Sequence, residues 1–195
     1  MKINSIDQIA STCLNLVETQ WFDQYQENIQ EVCQSAENPF FIFNLDFLKA
    51  HLKTIKAQLP DFIDLRYACK ANPMHHLLET IKSEGLGVDI ASLGELEQAK
   101  KSGFDGAKVL ATGPAKSKKY LKRLLDENIG LIVVESTLQL EWLNELALEE
   151  DKKPQVLLRV QLDWDESEGT SVLGGSAIPP FGLSDEEWIE RFTSS

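Results

Sequence analysis

Cysteine, histidine and positive charge are all scarce in this chain of 195 residues. The three cysteines, Cys13, Cys33 and Cys69, are too widely spaced for a disulfide framework or a zinc site. Such sparing use points to a reducing, cytoplasmic setting. No apolar run approaches the roughly 18–20 residues of a membrane-spanning helix. The opening stretch MKINSIDQIASTCLNLVE lacks the continuous apolar core of a secretory leader. Lys and Arg number 19 against 31 Asp and Glu, a net charge of −12. An acidic surface repels phosphate, so nucleic acid and anionic membranes are poor partners. No G-x-G-x-x-G follows the first strand-like run and no G-x-x-x-x-G-K-[ST] occurs anywhere, so the usual nucleotide signatures are missing. What is present is an ordinary globular balance, 43% hydrophobic and 26% charged, which argues against disorder of the whole chain. The length suits one domain or a little more.

Residues 1–38 read as a polar, helical N-terminal extension. Ile6, Ile9, Cys13, Leu16 and Val17 recur at helical spacing, and Asn38-Pro39 ends the pattern. The apolar run at residues 40–43 predicts a separate short strand, followed by a helix carrying Leu45, Leu48, Leu52 and Ile55. Strand-like runs then occupy residues 63–70, 86–91, 108–111, 130–134 and 155–160. Amphipathic stretches at 75–82, 93–101, 116–125 and 138–148 separate them. This alternation predicts an α/β fold with a parallel sheet.

The spacing sharpens the prediction. The strand-like runs end near Lys70, Ala91, Thr112, Glu135 and Arg159, in steps of 21, 21, 23 and 24 residues. Even, short βα units suit a (β/α)₈ barrel, with a doubly wound sheet as second choice. Eight units of about 23 residues would run to roughly residue 245. The 195 residues therefore predict a partial TIM-type barrel of about five strands. Such a piece belongs to a longer protein or pairs with another chain, because an open barrel leaves strand edges unpaired.

Function in such barrels gathers at the C-terminal ends of the strands. In the segment Leu65-Arg66-Tyr67-Ala68-Cys69-Lys70-Ala71-Asn72-Pro73, alternation puts Tyr67 and Cys69 on one face and Arg66, Ala68 and Lys70 on the other. The first face suits packing against helices, the second a polar interior. A buried Lys70 would be a candidate amine nucleophile, and the alternative is a lysine reaching out to water.

Tyr67-Ala68-Cys69-Lys70-Ala71-Asn72 resembles the lysine motif of the fold-type III pyridoxal-phosphate decarboxylases, the diaminopimelate, ornithine and arginine decarboxylase family. Three further segments match it in order: Gly87-Val88-Asp89-Ile90-Ala91-Ser92 with Gly94-Glu95-Leu96, then Thr112-Gly113-Pro114-Ala115-Lys116, then Leu157-Leu158-Arg159-Val160. The resemblance covers about residues 39–183. It implies an alanine racemase-like barrel in which Lys70 forms the Schiff base with pyridoxal 5′-phosphate. Asp89 would lie beside the cofactor, or serve only as a carboxylate at the start of the next helix. Arg159 would point to the cofactor's phenolic oxygen, or belong to an internal ion pair. Ser92 and Glu95, and again Ser184 and Glu187, read as capping boxes. Pro73-Met74-His75-His76 stands where the family's racemases have a Tyr-Gly pair, which favours a decarboxylase. His75 and His76 read as helix-start residues on different faces.

The family's later segments do not occur in these residues: the histidine that stacks on the pyridine ring, the glycine-rich phosphate loop, the Glu-Pro-Gly-Arg acid and the C-terminal β-domain completing the site across a homodimer. Gly174-Gly175 comes too early for that loop. The resemblance therefore implies a small amino-acid substrate, a homodimer at full length and little turnover from this chain alone. The alternative is a truncated or non-catalytic relative acting as a binding subunit. A one-domain cofactor-carrying barrel is a third reading. No metal site is expected. The acidic stretch of Asp163, Asp165, Glu166 and Glu168 fails as a calcium loop, since Glu168 stands at the glycine position and Gly174 at the terminal glutamate position. Lys116, Lys118 and Lys119 read as a solvated helix start, and Leu138, Trp142, Leu143 and Leu146 as helix core.

Overall fold

The computed structural model describes residues 25–37, 39–161 and 181–193. The expectations for residues 1–24, Cys13, the acidic stretch and Gly174-Gly175 lie outside them. The chain divides into two compact units, Met1–Leu65 and Arg66–Ser195.

In the first unit, helix α1 (Gln26–Ser35) buries none of its residues. Helix α2 (Leu45–Gln58) starts at Asn44, whose side chain accepts a 2.8 Å hydrogen bond from the Phe47 amide and so satisfies one orphan N–H of the first turn. The strand predicted at residues 40–43 is not formed. That stretch is irregular, and Phe41 is 89% exposed. An apolar run becomes a strand only where a neighbour completes its ladder, and no described strand pairs with this one.

The second unit alternates strands and helices as the spacing predicts. It contains β1 (Arg66–Ala68), α3 (His75–Ser83), β2 (Gly87–Ile90), α4 (Leu93–Lys101), β3 (Val109–Ala111), α5 (Lys118–Asp126), β4 (Leu131–Val134), α6 (Thr137–Glu149), β5 (Val156–Leu158) and α7 (Asp185–Thr193). The strands form one parallel sheet in sequential order, β1 to β5. Their ends at Ala68, Ile90, Ala111, Val134 and Leu158 give steps of 22, 21, 23 and 24 residues.

Register decides which side chains share a face. Ala68 pairs with Asp89, Asp89 with Leu110, Leu110 with Leu131, and Val133 with Leu157. The opposite face carries Val88, Ile90, Val109, Ala111, Ile132 and Val134, all fully buried. Leu78 and Ile81 of α3, Leu96 of α4, Leu121 and Leu124 of α5 and Leu143 of α6 join them in the core. Burying one such side chain contributes about 1.5–3 kcal/mol, so this layer dominates stability. Leu143 and Leu146 are core residues as expected, whereas Leu138 is 48% exposed because it falls off the buried stripe of α6.

Helices α4 to α7 share one starting device. Ser92, Ser117, Ser136 and Ser184 each accept a 3.2 Å hydrogen bond from the amide three residues on. Glu187 accepts from the Ser184 amide and closes the capping box expected there, whereas Glu95 accepts from the Ala91 amide, one residue before the Ser92 cap, so only the serine half of the expected box forms at Ser92. Two close approaches require glycine: a Cβ at Gly106 would lie 2.3 Å from the Glu127 carbonyl, and one at Gly130 would lie 2.4 Å from that of Ala107.

Candidate functional site

The C-terminal ends of the strands collect the polar residues of this unit. β1 ends at Ala68, and Lys70 follows in a single 3₁₀ turn, Cys69–Ala71. The turn packs Cys69 completely inside while leaving Lys70 exposed. Lys70 thus reaches out from the strand end. Burial pushes the Cys69 thiol up to about 11, with the Glu95 and Asp89 carboxylates adding to the effect, so this sulfur is an inert core group. The Tyr67 hydroxyl donates to the Asn72 carbonyl at 3.2 Å, and the Asn72 side chain accepts from the Met74 amide at 3.0 Å. These two bonds fix the exit from the lysine turn.

Asp89 stands next to Ala68 in the register. Its carboxylate accepts a 2.7 Å hydrogen bond from the Thr112 hydroxyl at the end of β3. Gly113 follows with φ +93°, and a Cβ there would meet Ala91 at 3.3 Å. The left-handed turn folds the chain back so that Lys116 points inward. Lys116 is 3% exposed, and its amine donates to the Gly113 carbonyl at 2.5 Å and lies 3.9 Å from the Glu135 carboxylate. The solvated helix start is therefore wrong for Lys116: α5 begins only at Lys118, and the turn before it carries Lys116 into the interior.

Glu135, 2% exposed, is the centre of the cluster. One carboxylate oxygen, Oε2, accepts from Arg159 Nη1 at 3.2 Å. The other, Oε1, is buried without a hydrogen bond and faces Lys116. Gln139 holds the surrounding backbone, accepting from the Glu135 amide at 3.1 Å and donating to the Pro114 carbonyl at 2.6 Å. Arg159 also lies over the Phe181 ring, 4.6 Å from its centroid. The Arg159 carbonyl accepts from the Trp188 indole at 3.0 Å, which anchors α7. Arg159 is half-buried and pairs with a fully buried carboxylate, an ion pair being one of its two expected roles.

Asp89 lies on the face that register extends to Leu157, two residues before Arg159, and Lys116 feels both charges. Glu135, Gln139 and the inward Lys116 do not stand out in the sequence reading. Alternation along β4 was the available signal, since Glu135 follows Leu131 and Val133 in steps of two on the face that holds Asp89.

Burial lowers Lys116 from its ordinary 10.5 to about 8, with Arg159 acting in the same direction and Glu135 and Asp89 against it. Below pH 8 both folded and unfolded chains hold this proton, and the cost of burying the charge is fully present. Between about 8 and 10.5 the folded chain has released it and the unfolded chain has not, so stability rises with pH. Relative to Lys116→Met, the wild-type chain should gain about 1 kcal/mol between pH 8 and pH 9, read from urea unfolding. Cys69, raised from 9.0 to about 11, removes stability at higher pH in both proteins alike and so cancels in the difference. A constant difference between the two proteins across that unit of pH would contradict the assignment.

The family profile described as "Pyridoxal-dependent decarboxylase, pyridoxal binding domain" matches residues 45–192. An L-glutamyl-[BtrI acyl-carrier protein] decarboxylase of Niallia circulans is 31% identical over 85% of this chain and 38% of its own length. A diaminopimelate decarboxylase of Aquifex aeolicus is 31% identical over 82% of this chain and 38% of its own. Among solved structures, diaminopimelate decarboxylase of Helicobacter pylori complexed with L-lysine superposes with a TM-score of 0.75 at 25% identity, covering 85% of this chain and 42% of that one. The chain thus spans about two fifths of the length of these relatives. Five parallel strands in sequential order, matched to these decarboxylase structures, make the fold a partial barrel, as the spacing predicts. With a matched profile over most of its residues and the same barrel strands in its structure, the chain belongs to the pyridoxal-binding domain family of the pyridoxal-dependent decarboxylases.

Proposed function

We propose that residues 39–195 are the N-terminal part of the cofactor-binding barrel of a pyridoxal-phosphate-dependent decarboxylase, with residues 1–38 as a helical extension. The observation that carries this is the exposed Lys70 amine on the turn after β1, at the same end of the sheet as Asp89 and Arg159. These residues fit the group. A carbonyl cofactor needs an accessible amine, and Lys70 has one that the adjoining Tyr67 and Asn72 bonds hold in place. An anionic, hydrogen-bonding ring needs fixed donors and charges nearby. Thr112 sets the Asp89 carboxylate and Glu135 sets the Arg159 guanidinium.

When bound, pyridoxal phosphate supplies an electron sink for the carbanion left as CO₂ departs. The chain's part is to hold the group covalently through Lys70, to orient it with Asp89 and Arg159, and to keep both charges rigid. Lys70 serves here because a primary amine condenses with an aldehyde, which a guanidinium does not. The proposed substrate is a small amino acid or amino-acid derivative carrying an α-carboxylate. The matched relatives include enzymes named for a free diamino acid and for a carrier-bound glutamyl group. We place the full-length protein in the cytoplasm as a homodimer. Among the described residues no helix is long and apolar enough to cross a membrane.

The test is to incubate the chain with pyridoxal phosphate, reduce with borohydride and map the peptides. The pyridoxyl adduct is expected on Lys70. An adduct on Lys108 or Lys116 instead would overturn the assignment.

A further inference from the structure

Three potential metal ligands meet at the start of α3, away from the groups assigned above. On a helix, neighbours in sequence point about 100° apart, which is why the sequence reading separates His75 from His76. In the structure both rings turn to one carboxylate. His75 Nε2 lies 3.4 Å from Glu79 Oε1, and His76 Nδ1 lies 3.2 Å from Glu79 Oε2. One ligand atom from each of the three residues lies within 4.8 Å of the others. A tetrahedral zinc ion with bonds of roughly 2.0–2.1 Å sets its ligands about 3.3–3.4 Å apart. Each ring stands at about that distance from one oxygen of the carboxylate, His75 from Oε1 and His76 from Oε2, and small turns of the exposed side chains bring one atom of each residue onto a shared ion.

A second observation concerns the far side of His75. Its Nδ1 lies 3.0 Å from the hydroxyl of Ser102. Ser102 is 4% exposed at the C-terminal end of α4, so this partner is fixed by packing. When Nδ1–H donates to that hydroxyl, Nε2 carries the lone pair and faces Glu79 Oε1. Two acceptors then confront each other, an arrangement that a cation between them relieves. Metal-binding imidazoles use such a bond on the other nitrogen to fix tautomer and ring angle. The positive end of the helix dipole opposes a dication, and with a single carboxylate this makes for modest affinity.

We propose that His75, His76 and Glu79 form a surface site for a divalent transition metal of the zinc class, with water completing the coordination. The site is separate from the Lys70 assignment and stands or falls without it. Occupied, it would tie the first turns of α3 to the end of α4 through Ser102.

The test is calorimetric titration of the untagged 195-residue chain with ZnCl₂ at neutral pH, with proton NMR of the histidine rings. One ion per chain should bind, shifting the rings of His75 and His76 and leaving that of His51 in place. His76→Ala and Glu79→Gln should each abolish this binding. Both side chains are exposed, 76% and 50%, so these variants keep the fold. Ser102→Ala should weaken it about 10- to 100-fold, as loss of an outer partner does. Zinc binding that survives both His76→Ala and Glu79→Gln, or no shift of the two rings at millimolar zinc, would overturn the proposal.

Discussion

Residues 1–195, purified alone and supplied with pyridoxal phosphate, should release CO₂ from diaminopimelate, ornithine, lysine or arginine at least about a thousandfold more slowly than the ~1 s⁻¹ at the low end of typical enzymes. The polypeptide contains the candidate amine, Lys70, and the two charges proposed to orient the cofactor, Asp89 and Arg159. By resemblance to the family, it does not contain the groups that hold the phosphate, stack on the ring or keep the ring nitrogen protonated. Positioning and charge stabilisation of that kind supply several kcal/mol of barrier lowering, and each 1.4 kcal/mol or so is tenfold in rate. Covalent capture needs only an accessible amine and should persist. The two measurements therefore separate: a borohydride-reducible adduct forms on Lys70 while turnover stays at trace level. Turnover near 1 s⁻¹ on any of the four substrates would show that the groups of this half suffice.

Glu135→Ala should lower the unfolding free energy by about 3–5 kcal/mol, a large part of the ~5–15 kcal/mol of an ordinary domain. The loss comes chiefly from the fully buried Lys116, since the Arg159 side chain is 38% exposed and can turn to water. Lys116 keeps its bond to the Gly113 carbonyl but loses the carboxylate 3.9 Å away, and Arg159 loses its 3.2 Å partner. Removing one member of a buried pair costs more than the pair contributes, because the survivor remains desolvated. The double variant Glu135→Leu with Lys116→Met should accordingly recover much of the loss. The Gln139 bond to the residue 135 amide survives either change, so the turn itself persists. Urea unfolding of the three proteins at pH 7 is the measurement. A loss under 1 kcal/mol for Glu135→Ala would mean that water reaches Lys116 and the cluster is not dry.

The architecture was legible because strand-like runs recur at nearly constant spacing, and that spacing follows from the size of one βα unit rather than from any single residue. The lysine motif stood out for a different reason: it is short, specific and followed by three matching segments in order. The failures share a cause as well. The run at residues 40–43 has strand composition, but pairing is a tertiary event that composition does not contain. Lys116 sits among lysines that do face water, and only the left-handed turn at Gly113 sends it inward. Glu135 had a readable alternation pattern, yet burial of a carboxylate makes sense only once the two cations that meet it are known. His75 and His76 were separated by ideal helix geometry, whereas side-chain torsions bring their rings within 5.3 Å, centroid to centroid.

Each strand of the sheet pairs with the next one in the chain, and paired residues are only 21–24 positions apart. Such pairings close short loops, for which the entropic cost is small. The order of synthesis is then also the order of assembly: each βα unit that leaves the ribosome finds its docking edge already made. Elongation at roughly 5–20 residues per second delivers a new unit every few seconds. Helix and hairpin formation take microseconds, so every unit has time to settle before its successor arrives. Growth of this kind keeps one edge open at every stage. The exposed Val156 and Leu157 of β5 are where a translating chain would be stickiest, and where a chaperone would find its grip.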